Sequence, residues 1–122
     1  MLKELDCVML RVADLDAAGT FYRDVMGLTP LWREGDMAGF GFADVLARAG
    51  TMPELVLHTN PNIPPLDVNY KVDDVVAEAA RLAEAGCKVV AGPFAIAIGM
   101  CAVLLDPFGN ALTLVDMTTG PR

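Results

Sequence analysis

The sequence predicts an α+β fold of two tandem βαβββ modules forming a curved mixed sheet around a cup, with the helices on the outer face. Three features carry that prediction. CVMLRVADL, starting at Cys7, returns sixty residues later as DVNYKVDDV, starting at Asp67, and self-similarity at a fixed spacing marks a duplicated supersecondary unit. GTMPELVL from Gly50 is echoed by GNALTLVD from Gly109. Each half then runs in one order, a period-two apolar stretch, a helical stretch and three further short apolar stretches.

Residues 5–12 alternate and are rich in branched apolar types, which predicts a strand. Asp14 or Asp16 offers an N-cap, AAGTFYRDVM supplies a helix, and Gly27 is placed to end it in the left-handed conformation. Strands follow near 29–34, 38–45 and 53–58, divided by a turn at Gly35 and Asp36 and by the ARAG stretch ending at Gly50. TNPNIPPLD, from Thr59, has three prolines that deny backbone donors, so it reads as a connector. The pattern restarts with a strand over 67–72, a helix capped by Asp73 or Asp74 that runs through Ala85, and Gly86 closing it. Strands near 87–91, 97–105 and 110–116 complete the second half, with DPFGN as the last turn.

The bulk numbers bound the rest. A chain of 122 residues with 54% hydrophobic content suits one domain, with module 1 over 1–58, a linker over 59–66 and module 2 over 67–122. A net charge of −7 without a basic run disfavours nucleic acid and anionic membrane surfaces as partners. No apolar stretch approaches a membrane span, and MLKELD lacks the charged head and apolar middle of a signal peptide, so a cytoplasmic protein is expected. Cys7, Cys87 and Cys101 are odd in number and form no CxxC pair, which predicts reduced, mostly buried thiols rather than disulfides or a zinc clip.

Strand parity sorts side chains into faces. Val8, Leu10 and Val12 form one row and Cys7, Met9 and Arg11 the other; their echoes are Val68, Tyr70 and Val72, and Asp67, Asn69 and Lys71. The apolar rows should carry the helices through Ala18, Phe21, Tyr22 and Val25, and through Val76, Ala79, Ala80 and Ala83. On the closing strands Glu54, Val56 and His58 share a face, as do Ala111, Thr113 and Val115. Cys7, Glu54, Asp67 and Thr113 are thereby expected at four symmetry-related places on the concave side.

CVMLRVADLDAAGTFYRDVMGL, DVNYKVDDVVAEAARLAEAGC and LLDPFGNALTLVD together resemble the vicinal oxygen chelate superfamily, which includes glyoxalase I, bleomycin resistance proteins and extradiol dioxygenases. In its metal-using members a histidine opens the first strand of a module and a glutamate sits on the last. The resemblance places those ligands at Cys7, Glu54, Asp67 and Thr113, so both histidines are replaced and only Glu54 is of the expected type. An extradiol site needs two histidines, whereas this chain has His58 alone. Without a metal, an enediolate would have only Arg11 or Lys71 to stabilise it.

The resemblance therefore implies a small-molecule-binding protein without metal or cofactor, in the style of bleomycin resistance proteins, with drugs or antibiotics among its ligands. The alternative is a lyase, isomerase or dioxygenase-like enzyme with an altered metal site. The expected ligand-binding residues are Cys7, Met9, Arg11, Trp32, Glu54, His58, Asp67, Asn69, Lys71 and Thr113, with Trp32 and Phe40 or Phe42 as an aromatic wall. Core packing is the competing role for the phenylalanines, and a structural role for His58. A homodimer is expected, since open sheet edges and an apolar rim need cover.

Overall fold

The computed structural model describes residues 5–42, 53–63 and 68–120 and divides into two compact units, Met1–Leu66 and Asp67–Arg122. In unit 1, β1 (Cys7–Arg11) leads into α1 (Leu15–Asp24), followed by β2 (Thr29–Glu34), β3 (Met37–Gly41) and β4 (Glu54–His58). Asp14 is the N-cap of α1, its carboxylate accepting from the Ala17 N–H at 3.0 Å, which satisfies one of the donors that the first helical turn leaves open. Gly27, at φ 77°, ends the helix, and the Leu28 N–H returns to the Tyr22 carbonyl. The sheet order is β1-β4-β3-β2, with β1 parallel to β4 and the other pairs antiparallel. Leu15, Ala18 and Tyr22 of α1 are buried, as are Leu10, Phe40, Leu55 and Leu57 from the sheet face of that parity.

Unit 2 repeats the plan. It comprises β5 (Asn69–Lys71), α2 (Val75–Glu84), β6 (Lys88–Ile96), β7 (Gly99–Leu105) and β8 (Ala111–Val115) in the order β5-β8-β7-β6. Asp74 caps α2 by accepting from the Ala77 N–H. In DPFGN, Asp106 accepts from the Phe108 and Asn110 N–H groups at 2.9 and 2.7 Å, closing the turn between β7 and β8. Ala102, Leu104, Leu112 and Leu114 bury the sheet face that carries α2. The architecture is thus the expected tandem βαβββ fold, realised as two mixed four-stranded sheets, one in each unit.

Three expectations need correction. The buried stripe of α2 is Val75, Ala79 and Leu82, while Val76 is 53% exposed and Ala80 and Ala83 also face outward. VVAEAARLAEA is apolar around most of its circumference, so its periodicity allows two neighbouring stripes, and Leu82 decides by offering the larger apolar area. The second correction is β6, which continues through Gly92 and Pro93 to Ile96 instead of stopping near 91. Pro93 is tolerated because β6 is an edge strand with register shifts on its only partner. Phe40, third, belongs to the core beneath α1: it is 4% exposed and pairs with Leu55 on the helix-carrying face. The ARAG stretch and the end of the predicted 38–45 strand lie outside the described residues.

Candidate functional site

The face of the unit 1 sheet opposite α1 gathers five of the ten expected site residues around one indole. Register places Cys7 beside Glu54, Met9 beside Val56 and Arg11 beside His58. Val56 pairs with Gly39, and Gly39 with Trp32, so Trp32, Gly39, Val56 and Met9 form one row across four strands. The indole lies flat along this row because position 39 has no side chain. A Cβ built there would stand 2.2 Å from Trp32 Cε2 and Nε1, far inside contact distance. From there Nε1–H donates to Glu54 Oε1 at 2.7 Å. Glu54 is only 7% exposed, and a buried carboxylate requires such donors.

Neighbouring groups set the chemistry of this face. The Cys7 thiol is pushed above its ordinary value by burial, then by the negative charge of Asp6 and its bond to that carboxylate, and further by Glu54, so the sulfur keeps its proton near neutral pH and is a weak nucleophile and metal ligand. At the far end of β4 His58 is buried, and its Nδ1 accepts the Asn60 N–H at 3.1 Å, leaving the neutral ring's proton on Nε2. Burial lowers its pKa, the adjacent Arg11 cation lowers it further, and Asp36 and the Asn60 bond act in the opposite sense. Arg11 is exposed and donates through Nη1 to the Pro61 carbonyl at 3.2 Å. His58 and Arg11 thus help to order the turn after β4.

The expected residues of module 2 divide differently. Asp67 lies outside the described residues. Asn69 and Lys71 are exposed on β5 and pair with Thr113 and Val115, all on the face of their own sheet opposite α2. Among the described residues Cys7, Glu54 and Thr113, the repeat correspondence is kept in face but not in register. Cys7 meets Glu54, whereas Thr113 meets Asn69, the counterpart of Met9; by strand pairing the counterpart of Glu54 is Ala111. A slip of two residues preserves the face, which is why parity places Thr113 correctly while missing its neighbour.

Two residues that matter escaped the sequence reading. Gly39, inside an apolar strand, is the kind of position where glycine marks a close approach, and only knowledge of the β2–β3 register would have pointed to Trp32. Asp116 is 1% exposed. Its carboxylate accepts from the N–H groups of Val75 at 2.8 Å and Met100 at 2.9 Å, and from Thr118 through both N–H and hydroxyl. These bonds, that from Val75 first, hold its pKa at about 2. It ties the start of α2 to β7 and to the segment after β8, a structural role.

Residues 4–114 match the family model of the Glyoxalase/Bleomycin resistance protein/Dioxygenase superfamily. The chain belongs to that superfamily. Among solved structures it is similar to TnmS3, an antibiotic binding protein from Streptomyces sp. CB03234, with 26% identity, coverage of 96% of this chain and 98% of that one, and a TM-score of 0.74. It is also similar to a glyoxalase/bleomycin resistance protein from the same organism, at 28% identity, 91% and 98% coverage and a TM-score of 0.67. A lactoylglutathione lyase from Agrobacterium tumefaciens, at 22% identity, 94% coverage of each chain and a TM-score of 0.67, shares the fold. No curated protein gives a significant match.

The superfamily includes metal enzymes, and the donors among the described residues do not fit their metal. Glu54 is engaged by the Trp32 indole, the Cys7 thiol is held protonated, and Thr113 offers a neutral hydroxyl. Among the described residues no three His, Cys, Asp or Glu side chains converge, whereas glyoxalase-type and ferrous sites need imidazole and carboxylate together. Among the described residues no helix is long and apolar enough to cross a membrane.

Proposed function

We propose that the protein binds and sequesters a flat aromatic molecule, of the drug or antibiotic class, on the face of the unit 1 sheet opposite α1, without metal or cofactor. The observation that carries this reading is the hydrogen bond between Trp32 and Glu54. The one inherited residue of metal-ligand type orients an indole instead. An indole fixed at its edge offers its ring as a stacking surface, and a stacked aromatic pair contributes about 0.5–1.5 kcal/mol beyond area burial. A cationic ring gains further from the indole face and from the acidic balance of the chain. Cys7, Met9 and Arg11 border this surface. The antibiotic-binding function of TnmS3, at 26% identity, supports the same reading.

Titration with the planar cation proflavine tests it, because Trp32 is the only tryptophan and its fluorescence reports directly. Saturable quenching is expected, with binding lost in Trp32→Ala and at least about tenfold weaker in Glu54→Gln, as expected for removing a charge-assisted contact. Metal analysis after titration with zinc, nickel, manganese and ferrous iron should find no stoichiometric ion. One ion per chain would overturn the metal-free reading and favour the lyase or isomerase alternative.

We further read the protein as a cytoplasmic homodimer. Three free cysteines support a reducing compartment, and the exposed Val89, Val90 and Phe94 of β6 support a self-association surface. Sedimentation of the wild type against Val90→Lys checks the second point.

A further inference from the structure

We propose that unit 1 carries a second ligand site, a cleft of about 460 Å³ between α1 and β2 on the helix side of the sheet, suited to a small carboxylate with an apolar body. Its floor is Gly19, Ala38 and Phe40, its rim holds Arg23 and Arg33 together with Asp16, and Trp32 of β2 also lines it. The cleft exists because of how α1 is written. Leu15, Ala18 and Tyr22 are its buried side chains, and the neighbouring stripe of Asp16, Gly19, Thr20 and Arg23 is small or polar, so the ground between helix and edge strand stays open. Gly19 sets the depth: a Cβ there would already touch Phe40 Cζ at 3.5 Å.

The rim selects charge. Arg33 holds Asp16 at 2.6 Å and Arg23 holds its neighbour Asp24 at 2.7 Å, both in pairs more than half exposed on the arginine side. Exposed pairs contribute about 0–1 kcal/mol, so the guanidinium groups exchange partners at little cost and present forked donors that match a carboxylate. The duplicated half provides an internal control. Sixty residues on, the same helix stripe reads Val76, Ala79, Ala80 and Ala83, without a cation or a glycine, and Ala79 is buried where Gly19 leaves space. Arginine and glycine at these places are features of unit 1, not of the repeated plan.

Amide chemical-shift titration with benzoate is the test, with acetate lacking the apolar body and benzamidine carrying the opposite charge. Saturable benzoate shifts centred on residues 16–23 and 30–33 are expected, with both controls at least about tenfold weaker. The Arg23→Gln, Arg33→Gln double variant should lose about tenfold in affinity or more while keeping its melting temperature, and Gly19→Leu should close the floor to benzoate. Non-saturating shifts, equal binding of benzamidine, or an unchanged double variant would overturn the site. Shifts confined to β1 and β4 would also overturn it and leave the stacking face of Trp32 standing. Failure of the wild-type protein to bind proflavine while it binds benzoate would overturn the sheet-face reading alone.

Discussion

Glu54 in unit 1 and Asp116 in unit 2 are both buried carboxylates, held by different kinds of donor. Asp116 in unit 2 is clasped by backbone N–H groups from three segments and by one nearby hydroxyl; it joins pieces of its own unit and offers nothing outward. Glu54 in unit 1 meets a side-chain donor, the indole of Trp32, across the face of its sheet opposite α1. Burial alone would rank them equally, at 1% and 7% exposure. What separates them is the source of the hydrogen bonds. A carboxylate consumed by backbone stabilises a fold, whereas one that fixes an aromatic plane shapes a surface.

The sharpest way to break that contrast is Gly39→Val. A side chain there collides with the indole, so Trp32 must leave its row and Glu54 loses that donor. We expect a loss of about 2–4 kcal/mol in denaturant unfolding together with loss of proflavine binding. If affinity survives, the indole is not the platform.

Asp116→Asn comes next and acts on stability without touching ligand binding. The folded pKa, about 2, lies below the ordinary 3.8, so the charged form contributes stability that is present above the ordinary value and lost as pH falls through the folded one. The variant should melt several degrees lower at pH 7 and show a flatter acid limb between these two values, read by thermal melts across pH.

On the helix of unit 2, Val75→Ala should cost about 2 kcal/mol and Val76→Ala less than about 0.5 kcal/mol. Equal costs in urea unfolding would contradict the buried stripe. The smallest effect is expected of Arg11→Ala, within about 0.5 kcal/mol. It should raise the His58 pKa measured by NMR by removing a nearby cation. Because the folded pKa of His58 is depressed below the ordinary 6.5, stability falls as pH drops through 6.5 toward the folded value. His58→Gln should remove that part of the slope.

Much of this could be read in the text of the chain because local rules and the repeat agree. Asp14 and Asp74 cap helices sixty residues apart, Gly27 ends the first of them, DPFGN turns, and parity put Cys7, Met9, Arg11, Glu54 and His58 on one face. What escaped depends on distant pairing. The two-residue slip at Thr113, the approach of Trp32 to Gly39 and the clasp around Asp116 each join segments whose alignment no local signal fixes. The α2 stripe was missed for another reason: alanine is too small for its periodicity to outvote its neighbours. β6 runs past Gly92 and Pro93, residue types that ordinarily end a strand, because an edge strand has a side on which a missing donor costs nothing.

That outer strand has one more consequence. Lys88 to Ile96 is exposed along nearly its whole length and largely apolar, the profile of a segment that seeds runaway fibrils. Two slips in its pairing and an imino acid in the middle chop the bare backbone into runs too short to template a newcomer.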